Sequence, residues 1–210
     1  MRTIHPIEAE SYRIMRSLVD TSALPPLTRA VTERIVHTTA DLDLVADVVT
    51  SEEHLAAGRA ALRSGRPVVT DVGMVAAGIT RRDLLGPVLC RVADPDTAAL
   101  AARAGLTRSA AGFRLAAAEV GAGAVWVVGN APTALFELLR LAADGVTPAF
   151  VVGLPVGFVG AAESKAALRA SDLPQVSNVS AKGGSPLAAA AVNALLYADL
   201  PASVAPEVMP

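Results

Sequence analysis

From Pro67 onward the sequence alternates between two textures. Short apolar runs, rich in β-branched residues, are separated by longer Ala- and Leu-rich stretches. The runs are Val68-Val69-Thr70-Asp71, Val88-Leu89-Cys90-Arg91-Val92, Val125-Trp126-Val127-Val128, Phe150-Val151-Val152 and the weaker Gln175-Val176-Ser177-Asn178. They are apolar at successive positions, not at alternate ones. A strand of that kind needs cover on both faces, and strand–helix–strand alternation supplies it. The sequence therefore predicts an α/β fold with a mostly parallel sheet flanked by helices on both faces.

The segment before Pro67 reads as helical. Pro6 suits a first helical position and Glu8 the first turn, where the helix dipole favours negative charge. Ile7, Ser11, Ile14 and Leu18 fall on one face at helical spacing. A second helix is expected after Pro25-Pro26, carrying Leu27, Val31 and Ile35 inward and ending near His37. Shorter helices are expected over Leu42–Val48 and Glu52–Arg63. The chain has 210 residues. A single domain over residues 1–198 is expected, followed by a Pro-rich tail over 199–210. A chain this long buries roughly 70% of its unfolded surface, enough to fold without disulfide or structural metal.

Composition narrows the function. The net charge is −2 and aromatic residues make up 3%, which leaves no general basic field for nucleic acid and few stacking platforms for single strands. The most apolar window, Leu115 to Leu135, is broken by Glu119, Asn130, Pro132 and glycines, so it reads as helix end, strand and loop, and no membrane span is expected. The N-terminus lacks the apolar region of a signal peptide. Cys90 is the only cysteine. That excludes an internal disulfide and a Cys-based zinc site and fits a cytoplasmic location. Its apolar surroundings point to a buried strand residue, not a nucleophile.

Ligands of an open parallel sheet bind beyond the carboxyl ends of its strands. Four segments leave those ends: Asp71 to Thr80, Gly129 to Leu135, Gly153 to Lys165, and Lys182-Gly183-Gly184-Ser185-Pro186. In the last, Ser185 suits a helix N-cap and Pro186 the first helical position. Its two glycines would let backbone amides approach an anion beside Lys182, or they simply open a well-capped helix. No phosphate-loop or dinucleotide fingerprint is present, nor a G-x-S-x-G elbow or H-E-x-x-H. The three histidines, His5, His37 and His54, have no local metal spacing, so an enzyme without cofactor or metal is the simplest enzyme reading. His5 and His54 read as solvated. His37, at a helix C-terminus where the dipole favours imidazolium, is the acid–base candidate, or an ordinary cap residue. Arg108, opening a helix with Ser109 after Thr107, would grip a carboxylate bidentately or lie solvated. Ser11 would touch ligand or bond back to its own helix.

Taken together, these stretches resemble the precorrin-8X methylmutase family, which includes the cobalt-precorrin-8 methylmutases. The likeness runs from His5 to about Leu196. It is carried by His5-Pro6-Ile7-Glu8 with Ser11 and Arg16, by Arg34-Ile35-Val36-His37, and by Asp71, Met74-Val75 and Gly78-Ile79-Thr80. It continues through Thr107-Arg108-Ser109-Ala110-Ala111, Gly129-Asn130-Ala131-Pro132-Thr133, the Gly153-to-Lys165 stretch and Gly183-Gly184-Ser185. The resemblance implies a homodimer acting on a corrinoid precursor, with substrate near the subunit interface. It implies a methyl shift from C-11 to C-12 of precorrin-8X (or cobalt-precorrin-8) in cobalamin biosynthesis, with His37 as proton donor. Ser11, Arg16, Thr80, Arg108, Ser109, Asn130, Lys182, Gly183, Gly184 and Ser185 are the substrate-binding residues expected by the same likeness. Two alternatives carry their own tests: a tetrapyrrole carrier that binds without turnover, and a nucleotide-dependent α/β enzyme, against which the missing fingerprints argue.

Overall fold

The computed structural model describes residues 5–81 and 84–198; the expected tail over 199–210 lies outside them. Ten helices and six strands alternate among the described residues. In order they are α1 (Pro6–Leu18), α2 (Pro26–Thr39), α3 (Leu44–Asp47), β1 (Val48–Thr50), α4 (Glu52–Arg63), β2 (Val68–Thr70), α5 (Gly73–Gly78) and β3 (Val88–Leu89). Then come α6 (Pro95–Ala104), α7 (Arg108–Val120), β4 (Val125–Val128), α8 (Pro132–Ala143), β5 (Phe150–Gly153), α9 (Ala161–Arg169), β6 (Gln175–Asn178) and α10 (Ser185–Tyr197). The sheet order is β1-β6-β5-β4-β2-β3. All pairings are parallel except β1 with β6.

The continuous apolar runs do what their pattern requires. Val68, Val125, Val127, Phe150, Val152 and Val176 face a core shared with α2, α4, α5 and α10. The intervening Val69, Trp126, Val128 and Val151 face a second core built with α7, α8 and α9. Successive side chains of a strand point to opposite faces, so both faces of each run are covered. α10 is buried from Leu187 to Leu196, the mark of a helix enclosed on every side.

Three expectations change. The helix expected over Leu42–Val48 shortens to α3, and Val48 opens β1, a three-residue edge strand. The run at Val88–Val92 pairs only through Leu89, so Cys90 lies past the strand and half-buried instead of in the core. The apolar face of α1 stays open: Met15 is its buried residue, while Ile7, Ile14 and Leu18 are exposed. α2 behaves as expected, with Leu27, Val31 and Ile35 buried. No helix among the described residues is long and apolar enough to cross a membrane.

One glycine tests the packing of α4 on the sheet. A Cβ on Gly58 would stand 2.6–2.9 Å from the ring of Phe150, which is fully buried. Alanine gains about 1 kcal/mol of helix propensity over glycine, but overpacking a tight core costs roughly 1–3 kcal/mol. The clash wins. Gly58→Ala is expected to lower the urea midpoint by the equivalent of about 1 kcal/mol without changing the slope.

Candidate active site

The strand order reverses at β2, since β3 lies on one side of it and β4 on the other while all three run parallel. That switch point opens a crevice at the strands' carboxyl ends. Asp71, which follows β2, is buried there. Its Oδ1 accepts a hydrogen bond from the Gly129 amide (3.1 Å), and its Oδ2 accepts from the amides of Asn130 (2.8 Å) and Ala131 (2.7 Å). Burial pushes the Asp71 carboxyl up; the three amides oppose that. The loop between β4 and α8 is thus folded around an anion that the chain itself supplies.

α10 starts beside this loop. A Cβ on Gly129 would lie 2.8 Å from the Ser185 Cα, and one on Gly183 would lie 2.5 Å from the carbonyl oxygens of Leu154 and Pro155. Glycine is therefore required at both. Gly184, not Ser185, is the N-cap, in a φ of 134° that favours glycine, and Ser185 is the first helical residue. The Gly184 amide donates to the Leu154 carbonyl at 2.9 Å, so it is engaged in the turn instead of pointing at an anion. The turn is clamped from two sides. Lys165, fully buried on α9, donates to Asn178 Oδ1, the Ser180 carbonyl and the Lys182 carbonyl at 2.9, 2.5 and 2.7 Å. Burial pulls its ammonium down to about 8. Asp47 accepts from Asn178 Nδ2, Ser180 Oγ and the amides of Val179 and Ser180. The Lys182 ammonium is taken by Asp41 (2.7 Å) and Asp43 (2.9 Å).

At the other end of α10 stands a second group. Ser11 Oγ lies 3.0 Å from His37 Nδ1, and the Tyr12 ring stacks on the imidazole at 4.6 Å and 15°. Arg34 Nη1 donates to Glu8 at 2.6 Å and to the Tyr12 hydroxyl at 3.5 Å. Its guanidinium lies 5.8 Å from the Tyr197 ring centroid. The Tyr197 hydroxyl donates to Thr80 Oγ1 at 2.6 Å, and Asn193 accepts from the Thr80 amide and donates to the Gly78 carbonyl. Arg16 reaches over Tyr12 at 5.5 Å while donating bidentately to Glu33 at 3.0 and 2.6 Å.

Ser11, Arg16, His37 and Thr80 are thus drawn into one bonded cluster. Arg108 is exposed at the first residue of α7, behind the Thr107 cap, and Ser109 is buried. Thr107 Oγ1 lies 2.8 Å from Thr133 Oγ1, which sets the starts of α7 and α8 side by side near Asn130. These residues and Gly183–Ser185 gather at the switch point. A cleft of about 430 Å³ lies beside Lys182, but Asp43 and Asp47 line it, and carboxylates there would repel a carboxylate-bearing ligand.

The environment of His37 reverses one expectation. Its position in the last turn of α2 predicted a favoured imidazolium. Burial, and then the nearby Arg34 charge, lower its proton affinity below the ordinary value; Glu8 opposes them. His54, expected to be solvated, is half-buried, and its Nδ1 is buried without a partner. His5 caps α1 by accepting from the Ile7 amide at 3.2 Å. Sequence reasoning passed over Tyr12, Arg34 as a site residue, and Tyr197. A signal existed: the chain has two tyrosines, and both lie against Arg34.

A precorrin-8X methylmutase family model matches residues 6–198. The chain belongs to the precorrin-8X methylmutase family. It is 43% identical to the cobalt-precorrin-8 methylmutase of Salmonella typhimurium, with 91% of this chain and 93% of that one covered. It is 41% identical to a precorrin-8X methylmutase of Sinorhizobium sp, covering 93% and 95%. The solved precorrin-8X methylmutase of Thermus thermophilus superposes with a TM-score of 0.83 at 34% identity, covering 92% of this chain and 98% of that one. Membership makes this chain an isomerase of cobalamin biosynthesis.

Glu33 anchors α1 to α2 through Arg16, beside the His37 cluster. Burial draws its carboxyl upward, but donors on Arg16, Thr21 and Arg29 outweigh that and hold it at about 2. A carboxyl held below its unfolded value stabilises the fold at higher pH, and the gain disappears as pH falls through the folded value. Wild-type stability is expected to drop between about pH 4.5 and 2. Glu33→Gln should remove much of that dependence and cost ~3 kcal/mol at pH 7 in denaturant titrations.

Proposed function

We propose that this chain moves a methyl group from C-11 to C-12 of precorrin-8X, or of its cobalt-containing form, giving hydrogenobyrinic or cobyrinic acid, with His37 as proton donor. The observation that carries this reading is the His37 cluster. An imidazole is fixed by a hydroxyl and a stacked ring, with two guanidinium groups close by. A sigmatropic methyl shift needs no nucleophile from the protein. It needs the macrocycle held in a reactive shape and its conjugated electrons perturbed, which protonation achieves. The proton leaves one imidazole nitrogen for the macrocycle, the C–CH3 bond at C-11 breaks as that at C-12 forms, and the proton is returned once the methyl has moved. Carboxylate side chains of the ring would meet Arg108 at the start of α7 and the α10 turn at Gly183–Ser185, with Ser11 and Thr80 along the ring edge.

The lowered proton affinity of His37 fits a substrate-triggered acid. In the free protein, burial and Arg34 favour neutral imidazole. A bound polycarboxylate brings negative charge that favours imidazolium. The kcat/KM profile, which reports the free enzyme, is expected to fall as pH rises through a value below 6.5. The corresponding limb of kcat should lie higher. His37→Ala is expected to lose ~100-fold or more of the single-turnover rate while still binding substrate, followed by visible absorbance. Full rate in that variant would end the acid role, and binding without conversion by wild type would make the protein a carrier.

The same reading includes a homodimer in the cytoplasm. It is supported by the unpartnered apolar face of α1, where Ile7 is 74% and Leu18 62% exposed; apolar patches of that kind mark interfaces. The lone thiol supports a reducing compartment. Ile14→Asp with Leu18→Asp should convert a dimer seen by light scattering to a monomer. Monomeric wild type would remove this part of the proposal.

A further inference from the structure

The acid assigned to His37 leaves open how its ring is oriented, and two neighbours on α1 decide that. Ser11 and Tyr12 are consecutive, yet both reach His37 on α2. Ser11 Oγ takes the Nδ1 edge at 3.0 Å. Tyr12 covers one face of the imidazole at 4.6 Å, tilted by 15°. An edge contact plus a face contact fixes both torsions of a histidine side chain. Tyr12 is fixed in turn by Arg34 at its hydroxyl and by Arg16 against its ring, and those guanidinium groups are anchored on Glu8 and Glu33.

Resting on the reading of His37 as proton donor, we infer that Tyr12 is a positioning residue, which with Ser11 locks the His37 ring so that Nδ1 is occupied inside the protein and Nε2 is the nitrogen presented to substrate. The tautomer follows from the acid role, and the Ser11 hydroxyl can accept the proton that it leaves on Nδ1. When Nε2 gives up its proton, the remaining proton sits on Nδ1 and is donated to Ser11 Oγ, which stabilises the spent acid and leaves Nε2 ready to take the proton back. Tyr12 acts through ring contact, not through its hydroxyl, and its face-on cover shields one face of the imidazole from water. The charged groups around the pair are Glu8 and Arg16 on α1 and Arg34 on α2. Each keeps its own partner when the tyrosine hydroxyl is removed.

The test combines imidazole nitrogen NMR on the histidine-labelled full-length protein with single-turnover conversion of precorrin-8X. In the wild type the neutral His37 ring should carry its proton on Nδ1; an Nε2–H ring would overturn the inference. Tyr12→Phe should keep the titration and the rate of wild type, because the stacked ring remains. Tyr12→Leu should move the His37 titration upward, toward that of a solvated imidazole. It should also lower the rate toward the ~100-fold loss of a misplaced catalytic group, with substrate affinity held within about twofold. Tyr12→Met, which keeps unbranched apolar bulk at the site, should behave like Tyr12→Leu and serves if that variant does not fold. A Leu or Met variant with wild-type titration and rate would refute the positioning role. The acid assignment fails separately: His37→Ala would then keep its rate, whatever the NMR reports for Tyr12.

Discussion

The spacing between the sheet and the outer helices is set by α10. Its central residues, Ala188 to Ala191, are small and buried. Short side chains let β4 and β5 approach from one side and α2 and α5 from the other. At Gly78 the approach is so close that a Cβ would stand 2.7 Å from that of Ala189. Both candidate residue groups lie against this helix. Its first turn sits against Gly129 and Leu154, and its last residue, Tyr197, holds Thr80 and faces Arg34. A helix of thirteen residues rises about 20 Å, so one rigid element fixes the distance between the switch-point loops and His37.

Loops around that helix are organised by internal charge. Asp71 gathers three consecutive amides, Asp47 gathers the 178–180 turn, and Lys165 closes the same turn from beneath. Asp71 and Lys165 are buried and Asp47 is half-buried, and the desolvation of each is offset by donors or acceptors arranged around it. An ion placed this way demands a particular backbone path, because any other would leave charge unsatisfied. Glycines at 129 and 183 then make that path sterically possible.

Much of this was legible in sequence, and the gaps have physical causes. Continuous apolar runs need two covered faces, so the parallel sheet follows from runs such as Val125–Val128 and Phe150–Val152 and their alternation with helical stretches. β1 was hidden because its three residues take their strand character from pairing with Asn178, Ser177 and Val176, far away in sequence. His37 and Ser11 were visible as chemistry-bearing side chains on predicted helices. Tyr12, Arg34 and Tyr197 act by ring and cation contacts between elements distant along the chain, and no local spacing records such contacts. The proton affinity of His37 departs from the helix-end expectation for two reasons: the Arg34 charge sits one turn earlier on the same helix and opposes the dipole, and the burial that lowers it further is tertiary.

The sheet's two margins have a consequence for solubility. Apolar inner strands such as β4 and β5 would be dangerous if their backbone groups were open to a neighbouring molecule. They are enclosed, and the strands at the rims, β1 and β3, are only three and two residues long. Stubs of that length offer too few free amides and carbonyls to nucleate strand addition. The chain can thus carry highly aggregation-prone segments at its centre while its described rim strands offer only short templates.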